Sequence, residues 1–95
     1  MTVWNINITA PTGDFDATLH IREEDGAPVG EMGGRKSKGP MHELKLDDTT
    51  IAWNTKIERP MPMKLSFRGE HDGNVMSGTV KFGIFASGTF TGTRA

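Results

Sequence analysis

The sequence predicts an all-β fold: an eight-stranded antiparallel up-and-down barrel, with a two-sheet β-sandwich as the alternative. Three observations predict it. Apolar and polar residues alternate in one run after another, as in "WNINI" at Trp4–Ile8 and "MKLSF" at Met63–Phe67, and a period of two marks a strand with one buried face. Turn residues separate the runs, with 12 glycines and 5 prolines in 95 residues and Asp-Gly pairs at Asp25–Gly26 and Asp72–Gly73; Asp-Gly readily adopts the positive φ of a tight hairpin turn. Finally, the chain reads nearly the same phrase twice, "WNINITAP" at Trp4–Pro11 and "WNTKIERP" at Trp53–Pro60.

The repeat extends beyond that phrase. Trp4 and Trp53, Ile8 and Ile57, and Pro11 and Pro60 all lie 49 positions apart. The offset slips to 47 at the two Asp-Gly pairs and to 48 at Gly30 and Gly78, then returns to 49 at Gly34/Gly83 and Gly39/Gly88. Small slips between aligned anchors belong in turns, so the chain reads as one domain, 1–95, built from two four-strand repeats, 1–48 and 49–95.

In the first repeat, Trp4, Ile6 and Ile8 form the apolar face of the first strand, and "APTGD" turns the chain. Phe15, Ala17, Leu19 and Ile21 form that of the second, and "EEDGAP" is a hairpin signal. A weaker strand follows around Val29–Met32, then a loop "GGRKSKGP", then a fourth strand on which His42, Leu44 and Leu46 share a face. In the second repeat, Ile51, Trp53, Thr55 and Ile57 alternate, as do Met63, Leu65 and Phe67, and then Met76, Gly78, Val80 and Phe82; Phe90 and Gly92 mark the last strand. "HELKLDD" is the one helical rival, and it is too short to stand alone. Eight strands with one apolar face must hide that face and manage two edges, and closure into a barrel does both, making the first and last strands neighbours. Gly30, Gly78 and Gly92 are expected where strands coil or bulge.

Composition narrows the function classes. Hydrophobic content is 35%, charged content 24% and net charge −1. This balance carries no basic or acidic excess, so neither nucleic acid nor an acidic membrane surface is expected as a partner. The chain has no cysteine, which favours a reducing compartment and removes thiol chemistry. "MTVWNINITAPTGD" has no basic n-region and no apolar run, so no secretory signal is expected and the cytoplasm is the expected location.

The pattern W-N-x-x-I-x-x-P followed by D-G-x-x-x-G resembles small bacterial β-barrel modules of unknown function and accessory domains at the ends of larger hydrolases. The topology is similar to that of the streptavidin and lipocalin-like barrels, which begin with a tryptophan on the first strand. The resemblance covers the whole chain, but its motifs are turn and core residues. It implies a fold and no chemistry. The biotin-binding barrels rely on tyrosine and serine hydroxyls, this chain has no tyrosine, and no binding residue carries over.

No catalytic constellation stands out. His20, His42 and His71 share no ligand-type spacing; His20 falls on the wet face of its strand, His71 beside a turn, and His42 in register with Leu44 and Leu46 and hence on the inner face. The pairs Glu23–Glu24 and Asp47–Asp48 read as solvated turn charges. "GGRKSKG" at Gly33–Gly39 lacks the phosphate-loop pattern and a following helix, and is the place where the two repeats differ most. Met61 and Met63 share a face with Leu65 and Phe67, and Phe85 sits in an apolar loop.

The expected function is therefore a non-catalytic module whose barrel interior takes a small apolar or amphipathic ligand, lined by Trp4, Trp53, Met63, Phe67 and Phe82. The alternative is a filled barrel serving as a structural or dimerisation unit related to accessory domains of larger enzymes. No metal or cofactor is expected. An eight-stranded barrel is just filled by its side chains or holds one small ligand, and strands of about 6–9 residues leave little room beyond the side chains themselves. Both tryptophans are accordingly expected to be buried.

Overall fold

The computed structural model describes residues 2–11, 13–34, 38–57, 63–84 and 86–95, with Ile57 described in its backbone alone. Among these residues there are nine strands: β1 (Thr2–Ala10), β2 (Gly13–Glu24), β3 (Ala27–Gly33), β4 (Lys38–Pro40), β5 (His42–Leu46), β6 (Thr50–Ile57), β7 (Met63–Asp72), β8 (Val75–Phe82) and β9 (Ala86–Arg94). They form one antiparallel sheet in the order β4-β3-β2-β1-β9-β8-β7-β6-β5. The first and last strands pair from Trp4 opposite Arg94 to Thr9 opposite Thr89. A single curled sheet replaces the two-sheet alternative.

Nine strands rather than eight is a correction, and it arises at the seam. Residues 38–46 do not form one regular strand. Their first part pairs with β3, with Gly39 opposite Met32, and their second part pairs with β6, with Lys45 opposite Ala52. The two parts lie at opposite edges of the sheet, yet one residue, Met41, separates them in sequence. The Met41 N–H donates to the Gly30 carbonyl at 2.8 Å, and the Thr55 hydroxyl donates to the Pro40 carbonyl at 3.4 Å. The chain thus carries one edge to the other and nearly closes the barrel.

The crossing changes which side chains point inward. The β5–β6 register shifts between His42 and Lys45, and Glu43 takes a left-handed φ of 54°, as a residue at a bulge can. His42 and Leu46 are exposed, Leu44 packs partly against the core, and Met41 is buried instead. The expected inner row of His42, Leu44 and Leu46 is therefore broken at His42, opposite the outward Asn54, while Leu46 keeps its place opposite Ile51 but stays exposed.

Elsewhere the alternation holds. Trp4, Ile6 and Ile8 of β1, Ala17, Leu19 and Ile21 of β2, Ile51 and Trp53 of β6, Leu65 and Phe67 of β7, Met76, Val80 and Phe82 of β8, and Phe90 of β9 make one buried cluster with Met41. Phe15 lies in line with Ala17 and Leu19 but is 42% exposed, at the end of its row beside the β1–β2 turn.

Inner-face glycines shape the barrel. Gly69 and Gly78 lie opposite each other across β7 and β8. A Cβ on Gly78 would strike the Arg68 carbonyl oxygen, and one on Gly69 would come within 2.9 Å of the Phe90 ring. The pair opens a notch into which Phe90 packs, and lets the two strands coil closely. Among the described residues, no helix is long and apolar enough to cross a membrane.

Candidate functional site

Four of the five expected lining residues belong to the buried core. Trp4, Trp53, Phe67 and Phe82 are buried, and Met63 packs against them in part. The alternation of β6 and β7 aims Trp53 and Phe67 inward, and their register sets them directly opposite each other. Their rings stack at 4.4 Å between centroids and 5° between planes. Phe90, arriving from β9, meets Trp53 edge-on at 5.6 Å and Phe67 at 5.5 Å. These spacings are those of rings in contact. Side chains occupy this level of the interior.

Among the described residues, the buried Trp53 Nε1–H has no hydrogen-bond acceptor. A buried donor left unpaired costs about 1–3 kcal/mol, so the packing around this ring offsets a penalty that an entering acceptor would remove.

The larger hollow lies on the outside. A groove of about 1200 Å³ crosses the outer face from β2 and β1 over β9 and β8 to the end of β7. Outward-facing Asn7 and Asp16 flank one side, and Asp48, Glu70 and Asp72 the other; Ile6, Met76 and Gly92 contribute to its floor. The Asn7 side-chain amide donates to Asp16 Oδ1 at 2.9 Å, which fixes that wall. A shallower hollow of about 430 Å³ adjoins it over the Gly69–Gly78 pair, where Arg68 and Thr79 form the rim. None of Trp4, Trp53, Met63, Phe67 or Phe82 lines either hollow.

The histidines stay apart. His20 sits opposite Glu31 on β3 and is half-buried. The His71 ring lies at the groove, with Nε2 at 2.6 Å from the Asp47 carbonyl oxygen. This ring contact and the bond from the His71 N–H to the Thr49 carbonyl at 3.0 Å tie the end of β7 to the β5–β6 turn. Glu23 and Glu24 close β2, Asp47 and Asp48 form the β5–β6 turn, and all four are exposed. Among the described residues no three His, Asp or Glu side chains converge as metal ligands. Arg35, Lys36 and Ser37 of the basic loop, Met61, and Phe85 lie outside the described residues.

Sequence reading missed Phe90 as the third ring and Met41 as the seam residue. Phe90 carried a signal, since Phe90 and Gly92 share the inner face of the last strand. Met41 carried none, because its burial follows from two strands lying on opposite edges.

No family model matches the chain, and no curated protein does. Among solved structures, the chain is similar to a redesigned β-barrel, b11L5F_LGL, with a TM-score of 0.65 and 14% identity, covering 98% of this chain and 89% of that one. At that identity the likeness is one of fold alone, and the fold it supports is the nearly closed β-barrel.

Proposed function

We propose that this protein is a non-catalytic β-barrel module with a side-chain-filled interior, serving as a structural or interaction unit through its outer surface. The observation that carries this reading is the aromatic stack of Trp53 on Phe67, with Phe90 against both. Rings in mutual contact inside a barrel of about this strand number help fill its interior and leave the outside to meet partners. Self-association into a homodimer fits Ile84, 96% exposed in the β8–β9 turn. Kinship to accessory domains of larger enzymes, origin by duplication of residues 1–48 and 49–95, and a cytoplasmic setting complete the proposal; the last rests on the absence of cysteine. Likeness to the streptavidin and lipocalin barrels would be one of topology.

A second reading keeps a small apolar or amphipathic ligand among Trp4, Trp53, Met63, Phe67 and Phe82. The buried Trp53 Nε1–H, without an acceptor among the described residues, favours it, since a ligand oxygen placed there would satisfy the donor. Native mass spectrometry of protein purified from its own host separates the two. The filled-barrel reading expects the bare mass of the chain or of its dimer. A small-molecule mass lost on denaturation would overturn it in favour of the ligand reading.

A further inference from the structure

The outer face of β6, β7 and β8 gathers positive charge in an arrangement that folding alone disfavours. Lys56 and Lys64 are direct cross-strand partners. Ser66, two residues on, is opposite Lys81 on the other side of β7. Arg68 follows on the same outward face, since Leu65 and Phe67 between them are buried. All four cations are exposed and ring the half-buried Ser66. Like charges set directly opposite one another destabilise a sheet.

Ordinary explanations account for the group only in part. Lysines blunt exposed sheet edges, and Lys56 lies beyond Asn54, where the pairing of β6 with β5 ends, but Ser66, Arg68 and Lys81 have paired strands on both sides. Among the described residues no carboxylate forms an ion pair with the group, although Glu70 follows Arg68 on the same face. The ion pairs found there belong to Arg22 and Lys38 with Glu24 and Glu31, and Arg94 lies over the Trp4 ring.

We propose that this face binds a compact polyanion, a phosphate or sulfate ester with at least two anionic groups, centred on Ser66. Directly opposed residues stand ~5 Å apart and diagonal ones ~7–8 Å, while Lys64 and Arg68 are separated by roughly 13 Å of strand. One tetrahedral anion cannot reach all four cations, and two or three linked ones can. Asn54, Ser66 and Thr79 stand outward between the cations. Ser66 and Thr79 supply hydroxyl groups, while the Asn54 amide donates to Glu43 Oε1 at 3.2 Å and so marks the acidic border of the site; no ring is present among the three on which a nucleic-acid base could stack, so a compact ester fits better than an oligonucleotide. The inference goes beyond the filled-barrel reading and holds whether or not the interior admits a ligand.

The test is a two-dimensional amide NMR titration at low ionic strength with tripolyphosphate. Saturable shifts are expected at Lys56, Lys64, Ser66, Arg68 and Lys81, with affinity about tenfold above that for inorganic phosphate. Lys64→Gln and Lys81→Gln should each weaken binding about two- to fivefold. Lys64→Gln should also melt no lower than the unmodified protein, because it removes a repulsion. Shifts spread equally to Lys38 and Lys45, equal affinity for inorganic phosphate or for a short oligothymidylate, or a lower melting temperature for Lys64→Gln would each overturn the proposal.

Discussion

Trp4 and Trp53 occupy the same place in two similar phrases, and both are withdrawn from water, at 4% and 1% exposure. Their surroundings differ. Trp53 stacks on Phe67 and meets the edge of Phe90. Trp4 has Leu19 and Arg94 as its cross-strand partners, and the Arg94 guanidinium lies 5.4 Å from its ring centroid. One indole is part of an aromatic stack; the other is covered near the last residues of β9 by an aliphatic neighbour and a cation. A shared local sequence places both rings on the inner face, and the neighbouring strands decide what each ring does there.

The largest expected effect separates the two rings. Trp53→Ala should destabilise the fold by about 4–5 kcal/mol and Trp4→Ala by about 3 kcal/mol, since truncating a buried aromatic costs ~3–5 kcal/mol and aromatic pairs add to it. Urea denaturation monitored by circular dichroism measures both. Equal losses would remove the distinction between stack and cap.

Gly78→Ala comes next, at about 2–3 kcal/mol, because its Cβ would meet the Arg68 carbonyl oxygen and force the β7–β8 pairing to move. Thermal unfolding should show a drop of roughly 8–24 °C, at about 4–8 °C per kcal/mol for a domain of this size. A near-neutral result would mean that the notch seating Phe90 is not under close contact.

A double-mutant cycle sharpens the contrast further. Trp53→Leu with Phe67→Leu should return a coupling of about 1 kcal/mol, the worth of a stacked pair beyond its buried area. The equivalent cycle of Trp4→Leu with Leu19→Ala should return less, and the reverse ranking would contradict the assignment of the stack to Trp53.

The smallest effect belongs to the cap. Arg94→Ala should cost about 0.5–1 kcal/mol, the range of an exposed cation over an indole. The emission of Trp4, read in a Trp53→Phe background, should change with it. An unchanged spectrum would place the guanidinium away from the ring in solution.

How far the sequence reaches is visible in particular residues. Strands recognised by strict alternation, such as Trp4–Ile8 and Met63–Phe67, lie where that alternation puts them. A period of two is a local property, and it survives folding because one face of each strand must leave water. Asp25–Gly26 and Gly73 take the positive φ values their turns need. The burial of Trp4, Trp53, Phe67 and Phe82 was legible for the same reason, since an inward row of large apolar side chains announces itself.

Closure was legible as a need to hide one face, but the place of the seam was not. Residues 38–46 read as a loop and one strand, yet they serve two edges of the sheet, and the register shift between His42 and Lys45 turns His42 outward, while Leu46 stays opposite Ile51 but exposed. The outer groove and the lysines around Ser66 are likewise products of register, joining residues from strands far apart in sequence. Local propensity and patterning determined which residues face the core. Strand order and register decided which of them touch, because contacts between strands depend on how the sheet coils and closes, and no short stretch of sequence carries that information.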